Sequence, residues 1–233
     1  MVKFKNNVLE FEPNKITDPS LWKYSDEYSV MATLMYFYPE KYWDLNHSDK
    51  PDLQYEDQIG IEVTQCLEDS YNKSIGEWTN YRLGKEGKSY SRCEKVISEQ
   101  GGQLFEYGIT HRVSDENTQM QPIRDRMDKK FLKLKDYRNK FLECSLAIIL
   151  EEPVPSIPAK AIDYFCTKQK EYDYQFDNLI IITNRELIIF DYKSHLISKK
   201  VYTKEEARCF NYIGVMVVNE LVSEPKDCMT RDF

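Results

Sequence analysis

Residues 50–65 read KPDLQYEDQIGIEVTQ, and the alternation inside this stretch decides the fold. Side chains along a strand point to opposite faces with a period of two. Leu53 and Tyr55 therefore share one face of a first strand, and Ile59, Ile61 and Val63 share one face of a second. A three-residue loop, Glu56 to Gln58, sets Tyr55 against Ile59, Leu53 against Ile61 and Asp52 against Glu62. A two-residue loop would oppose Asp52 to Ile61 and mix the faces, which a half-buried sheet resists. The loop lacks glycine, so Asp57 is expected to take the left-handed backbone that such hairpins favour.

The hairpin thus brings acid to acid. Directly opposed residues have Cβ atoms roughly 4.5 to 5.5 Å apart, and like charges there are destabilising. A divalent cation would offset that repulsion. Mg²⁺ takes oxygen ligands, is held by one or two carboxylates and keeps its other positions for water and substrate phosphate. The plainer reading is a surface hairpin with solvated acids, because exposed Asp and Glu are common.

Outward from the hairpin, residues 24–38 read as a helix with Ser25 as N-cap, an apolar stripe at Tyr28, Met31, Met35 and Tyr38, and Pro39 as its stop. Glu27 falls in its first turn, where an acid suits the helix dipole. A strand is expected over 8–11 and another over 42–46, the latter followed by turn chemistry that includes His47. Residues 66–80 and 89–100 read as helices. Between them Gly87-Lys88-Ser89 matches the end of a phosphate-binding loop, but Arg82 stands where its leading glycine belongs. Residues 103–109 read as a strand ending near His111 and Arg112. Residues 119–141 carry a helical stripe at Ile123, Met127, Phe131 and Leu134, with Arg124, Arg126, Lys129, Lys130, Lys133 and Lys135 assigned to the other face. That basic face is the candidate contact for a phosphate backbone. Further on, a strand over 145–150, a helix over 157–170 and a hairpin of 179–183 with 186–191 are expected, then a short helix over 205–210 and a strand over 215–218.

Strands alternating with helices imply an α/β fold with a mixed sheet flanked by helices on both faces. The chain reads as one domain, residues 1–233, with a core at about 24–150 and a C-terminal elaboration at about 151–233. Its 41% hydrophobic and 30% charged residues are those of an ordinary globular protein. No apolar run is long enough for a membrane span and no signal-peptide core is evident, so a cytoplasmic location is expected. The six cysteines show no C-x-x-C spacing, which argues against a zinc site and against disulfides. A net charge of −7 argues against a protein that coats nucleic acid nonspecifically, while leaving room for a local basic patch.

Pro51-Asp52, then Glu62 with Thr64 two residues on, set behind one helix and ahead of another, resemble the PD-(D/E)xK nuclease superfamily, also called restriction-endonuclease-like. The resemblance spans about residues 24–110, and Thr64 stands where the motif lysine belongs. It implies a restriction-endonuclease-like core and metal-dependent hydrolysis of a phosphodiester in nucleic acid, DNA before RNA. Mg²⁺, with Mn²⁺ as a substitute, would be held by Asp52, Glu62 and the main-chain carbonyl of Val63. Glu27, and after it Glu40, are the candidate acids from the first core helix. Thr64 itself, or Lys73 on the following helix, would take the lysine's part. Arg112, Lys130 and Lys133 are the candidate nucleic-acid contacts, and pairing of two copies to cut two strands is left open. The alternative is a nuclease-like fold without catalysis that serves as a binding or assembly module. Nothing supports an acyl hydrolase or metalloprotease, since G-x-S-x-G and H-E-x-x-H are absent.

Overall fold

Strands with unbroken apolar runs must be covered on both faces, and two such runs, SLAII and NLIII, lie in the middle of this sheet. The computed structural model describes residues 1–12, 18–105, 108–111, 115–151 and 153–231. The chain begins with β1 (Val2–Phe4), α1 (Asn6–Leu9), α2 (Trp22–Phe37), α3 (Pro39–Tyr42), β2 (Asn46–His47), β3 (Leu53–Tyr55) and β4 (Ile59–Gln65). Next come α4 (Asp69–Arg82), α5 (Tyr90–Glu99), β5 (Gly102–Phe105), β6 (Gly108–His111) and α6 (Glu116–Leu134). The last part holds β7 (Glu143–Ile149), α7 (Ile157–Gln169), β8 (Asn178–Ile182), β9 (Glu186–Asp191), β10 (Ile197–Val201), α8 (Lys204–Val218) and β11 (Met229–Arg231).

Seven strands form one mixed sheet in the order β10-β9-β8-β7-β4-β3-β2. The neighbours β4, β7 and β8 are parallel, and the outer pairs are antiparallel. Alternation sorts their side chains into two cores. Ile61, Val63, Ala147 and Ile180 pack with α2 and α8 on one face. Leu146, Ile148, Leu179 and Ile181 pack with α6 and α7 on the other. The fold is therefore α/β, a mixed sheet with helices on both faces. Strands from both sides of residue 150 share the sheet, while α4, α5 and the β5–β6 hairpin pack mainly on one another.

The expected register holds: Leu53 pairs with Ile61, Gln54 with Gly60 and Tyr55 with Ile59. Glu56, not Asp57, takes the positive φ, at 47°. Gly60 is required here by close approach, since a Cβ on it would lie 2.8 Å from Pro51 Cγ and 3.0 Å from the Phe141 ring. The absence of a side chain at residue 60 lets Pro51, and with it Asp52, settle onto β4.

Several expectations are corrected. Residues 8–11 are not a strand; Val8 lies in α1, and β1 instead pairs with β11. The helix expected over 24–38 starts at Trp22 without a side-chain cap, so Ser25 is inside it and Glu27 lies beyond its first turn. Of residues 42–46, expected as a strand, Tyr42 closes α3, which Pro39 opens, and the strand, β2, begins only at Asn46. The stretch expected as one strand over 103–109 is a hairpin, β5 with β6. Residues 205–218 form one helix rather than a helix and a strand: the β-branched run at its end packs against α2, and burial outweighs local propensity. The edge strand β10 had no signal in the sequence, all five of its residues being exposed. Ser89 caps α5 by accepting from the Arg92 amide, and Lys88 pairs with Glu77, which gives that glycine-lysine-serine run a structural role. All six cysteines are free. Among the described residues no helix is long and apolar enough to cross a membrane.

Candidate functional site

Asp52 ends the loop ahead of β3, and Glu62 lies mid-way along β4. Asp52 is 2% and Glu62 4% exposed, so neither is a solvated surface acid. Carboxylates are costly to bury unless paired or hydrogen-bonded, and here both kinds of partner are present. The Val63 N–H donates to Asp52 Oδ2 at 2.8 Å, which fixes the carboxylate against β4. Lys130 of α6 reaches across to the pair: its Nζ donates to Glu62 Oε2 at very short range and lies 3.4 Å from Asp52 Oδ2.

On the other side of Asp52, Lys23 of α2 donates to Oδ1 at 3.1 Å. The same ammonium lies 3.0 Å from Oε1 of Glu27, one helical turn on. Glu27 is buried, and its Oε2 is 2.5 Å from His47 Nε2. The His47 ring stacks on Tyr28 with centroids 4.8 Å apart and meets Tyr24 edge-on at 5.6 Å. An unbroken series of opposite charges and hydrogen bonds thus runs from His47 through Glu27, Lys23, Asp52 and Lys130 to Glu62.

The two hairpin acids respond differently to these surroundings. Burial opposes ionisation of Asp52, but Lys130, the Val63 amide and Lys23 overcome it and hold the carboxyl below its ordinary value. For Glu62 burial wins: with the repulsion of Asp52 it raises the carboxyl above its ordinary value despite Lys130 and Lys133. Burial pulls Lys23 down, but Glu27 and Asp52 more than reverse it and raise its pKa. Tyr137 belongs to the same neighbourhood. Its buried hydroxyl has no hydrogen-bond partner among the described residues, and burial followed by the charge on Glu62 pushes its ionisation up.

A scan against protein-family models, a search of curated proteins and a search of solved structures each found no match. The site therefore stands on its own geometry.

That geometry sorts the expected residues. Asp52, Glu62 and Glu27 come together. Val63 enters through its amide, while Thr64 is half-buried on the face that Glu62 occupies. Lys73 is exposed on α4 and makes none of these ion pairs, and Glu40 is exposed on α3. Lys130, expected on the outward basic face of α6, turns inward to the acids, while Arg124, Arg126, Lys129 and Lys133 are exposed. Arg112 and the side chain of His111 lie outside the described residues. Sequence reasoning missed Lys23 and Tyr137 and left His47 as a loop residue. Lys23 carried one usable signal, its i,i+4 spacing to Glu27.

Among the described residues no three His, Cys, Asp or Glu side chains converge as a ready cation cage. The donor chemistry nevertheless suits a hard cation. Asp52 and Glu62 direct oxygens at a single positive charge, that of Lys130. Glu27 Oε1 is buried and, among the described residues, faces only the Lys23 ammonium at 3.0 Å.

Proposed function

We propose that this protein hydrolyses phosphodiester bonds in nucleic acid, DNA before RNA, with Mg²⁺ or Mn²⁺ as cofactor. The observation that supports this most is the position of Lys130: α6 supplies to Asp52 and Glu62 the lysine that β4 lacks at Thr64. Asp52 and Glu62 would hold the ion, with the Val63 carbonyl as a further oxygen donor. When bound, the ion supplies Lewis acidity toward water and the phosphate.

The chain's own groups do the rest. Lys130 stands ready to meet the negative charge that develops on the phosphate during attack, a form of preorganised electrostatic stabilisation. Val63 N–H and Lys23 keep Asp52 ionised and fixed in direction. The exposed Arg124, Arg126, Lys129 and Lys133 put a basic surface on α6 beside the acids, where they attract the phosphate backbone despite the acidic total charge.

A second reading, a nuclease-like binding or assembly module without catalysis, is favoured by the lysines themselves, since Lys130 and Lys23 already neutralise the acids. An assay on single- and double-stranded DNA and RNA with Mg²⁺, Mn²⁺ or EDTA separates the two. The nuclease reading expects cleavage that needs metal and disappears in Glu62→Ala. Absence of cleavage of every substrate by folded wild-type protein refutes it in favour of the binding module.

A further inference from the structure

We propose that the cavity at the carboxyl ends of β4, β7 and β8 binds a small organic cation, a primary ammonium or guanidinium on a short apolar body. This proposal does not depend on the nuclease reading. The cavity has a volume of about 270 Å³ and lies between those strand ends and the helices α2 and α8. A crevice beyond the carboxyl ends of parallel strands is where open α/β sheets place ligands, and this volume, at the low end for ligand pockets, limits the occupant to a small one. The helices that wall it cross closely: a Cβ on Gly214 of α8 would come within 2.2 Å of the Ser25 carbonyl oxygen of α2.

The lining selects the sign of the ligand's charge. Among the described residues its charged members are Asp26 and Glu151, and neither Lys nor Arg lines it. The Asp26 carboxylate makes no hydrogen bond or ion pair among the described residues, and its charged neighbours, Glu151 and Glu27, both repel it. A cation would take up that unused acceptor capacity through charge-assisted hydrogen bonds. The Gln65 amide, at the end of β4, lines the same space, and Val30, Ile182 and Phe210 give it an apolar wall for a hydrocarbon body. Charge and wall together favour an organic cation over a bare metal ion.

The full chain is titrated with n-butylammonium chloride, with n-butanol and MgCl₂ in parallel, and the side-chain amide NMR signals of Gln65 and Asn211 are followed. Asn211 also lines the cavity. The proposal expects saturable shifts of both signals with butylammonium and none with butanol. It expects affinity to fall about tenfold in Asp26→Asn, as loss of a charged hydrogen-bond partner does, and to weaken in Glu151→Gln. If Asp26→Asn does not fold, Glu151→Gln carries the same comparison. No response to butylammonium, an equal response to butanol, or undiminished binding in the folded variants overturns the proposal. Saturation of the same signals by Mg²⁺ at lower concentration also overturns it, making the cavity a metal site.

Discussion

Two neighbouring acids on α2, Asp26 and Glu27, belong to two regions built on opposite electrostatic terms. Glu27 joins a buried series in which every carboxylate has a basic partner: Lys23 serves Glu27 and Asp52, and Lys130 serves Asp52 and Glu62. Asp26 faces a cavity lined, among the described residues, by a second acid and by no lysine or arginine. The consequence is visible in the acids themselves. Asp52, although buried, is held below its ordinary value by Lys130 and its other partners, whereas burial and then Glu151 and Glu27 push Asp26 up to about 7. Burial alone does not decide whether an acid in this fold is charged: Asp52 and Glu62 share Lys130, and only Asp52, which also has the Val63 amide and Lys23, is held below its ordinary value.

The comparison breaks most visibly at Lys130. Lys130→Met leaves two buried carboxylates facing each other, and removing one partner of a buried pair typically costs about 3–5 kcal/mol. A urea melt should show that loss, and Glu62→Gln added to Lys130→Met should recover much of it by removing one charge. An unchanged melt in Lys130→Met would mean that the acids do not need this ammonium.

The hairpin beneath the acids gives the next largest effect. Gly60→Ala places a methyl group 2.8 Å from Pro51 Cγ, and overpacking of this kind costs about 1–3 kcal/mol. The strain falls next to Asp52, so thermal unfolding should move down and any metal affinity should fall with it. Unchanged metal binding would separate Pro51 packing from the placement of the acid.

Asp26 sharpens the contrast through pH. A carboxyl whose folded pKa is raised from 3.8 to about 7 loses stability for the fold as pH rises between those values. Asp26→Asn should therefore raise the melting temperature by several degrees at pH 8 and change it little below about pH 3, where the wild-type acid is largely neutral in both states. An equal gain at both pH values would trace the effect to packing rather than charge. At the small end, Lys73→Ala should leave stability within about 0.5 kcal/mol, as exposed positions do, and should leave cleavage unchanged.

The hairpin register was legible because a one-residue slip would have turned Leu53 and Ile61 out of the core, and that penalty is written in the alternation itself. The parallel strands were legible in outline from the apolar runs of β7 and β8. The lysine that the proposed nuclease site calls for was harder to place. Lys73 is near Glu62 in sequence, whereas Lys130 is 68 residues away, and a contact across the sheet leaves no local trace. A partial signal did exist: Lys130 is three residues after Met127 and four before Leu134, which places it on the flank of the buried stripe of α6 rather than on its outer face. The Asp26 cavity left no trace, since it forms only where β4, β7 and β8 end beneath two helices far apart in the chain.

The account turns on Lys130 standing in for a lysine on β4, and Thr64 marks where that lysine would return, on the same face as Glu62. Metal-dependent cleavage by wild type, Lys130→Met and the double variant Lys130→Met with Thr64→Lys tests the substitution directly. The account predicts a loss of about 10²-fold or more in Lys130→Met, the usual scale for removing a transition-state charge donor, and substantial recovery in the double variant. Wild-type cleavage by Lys130→Met would contradict it.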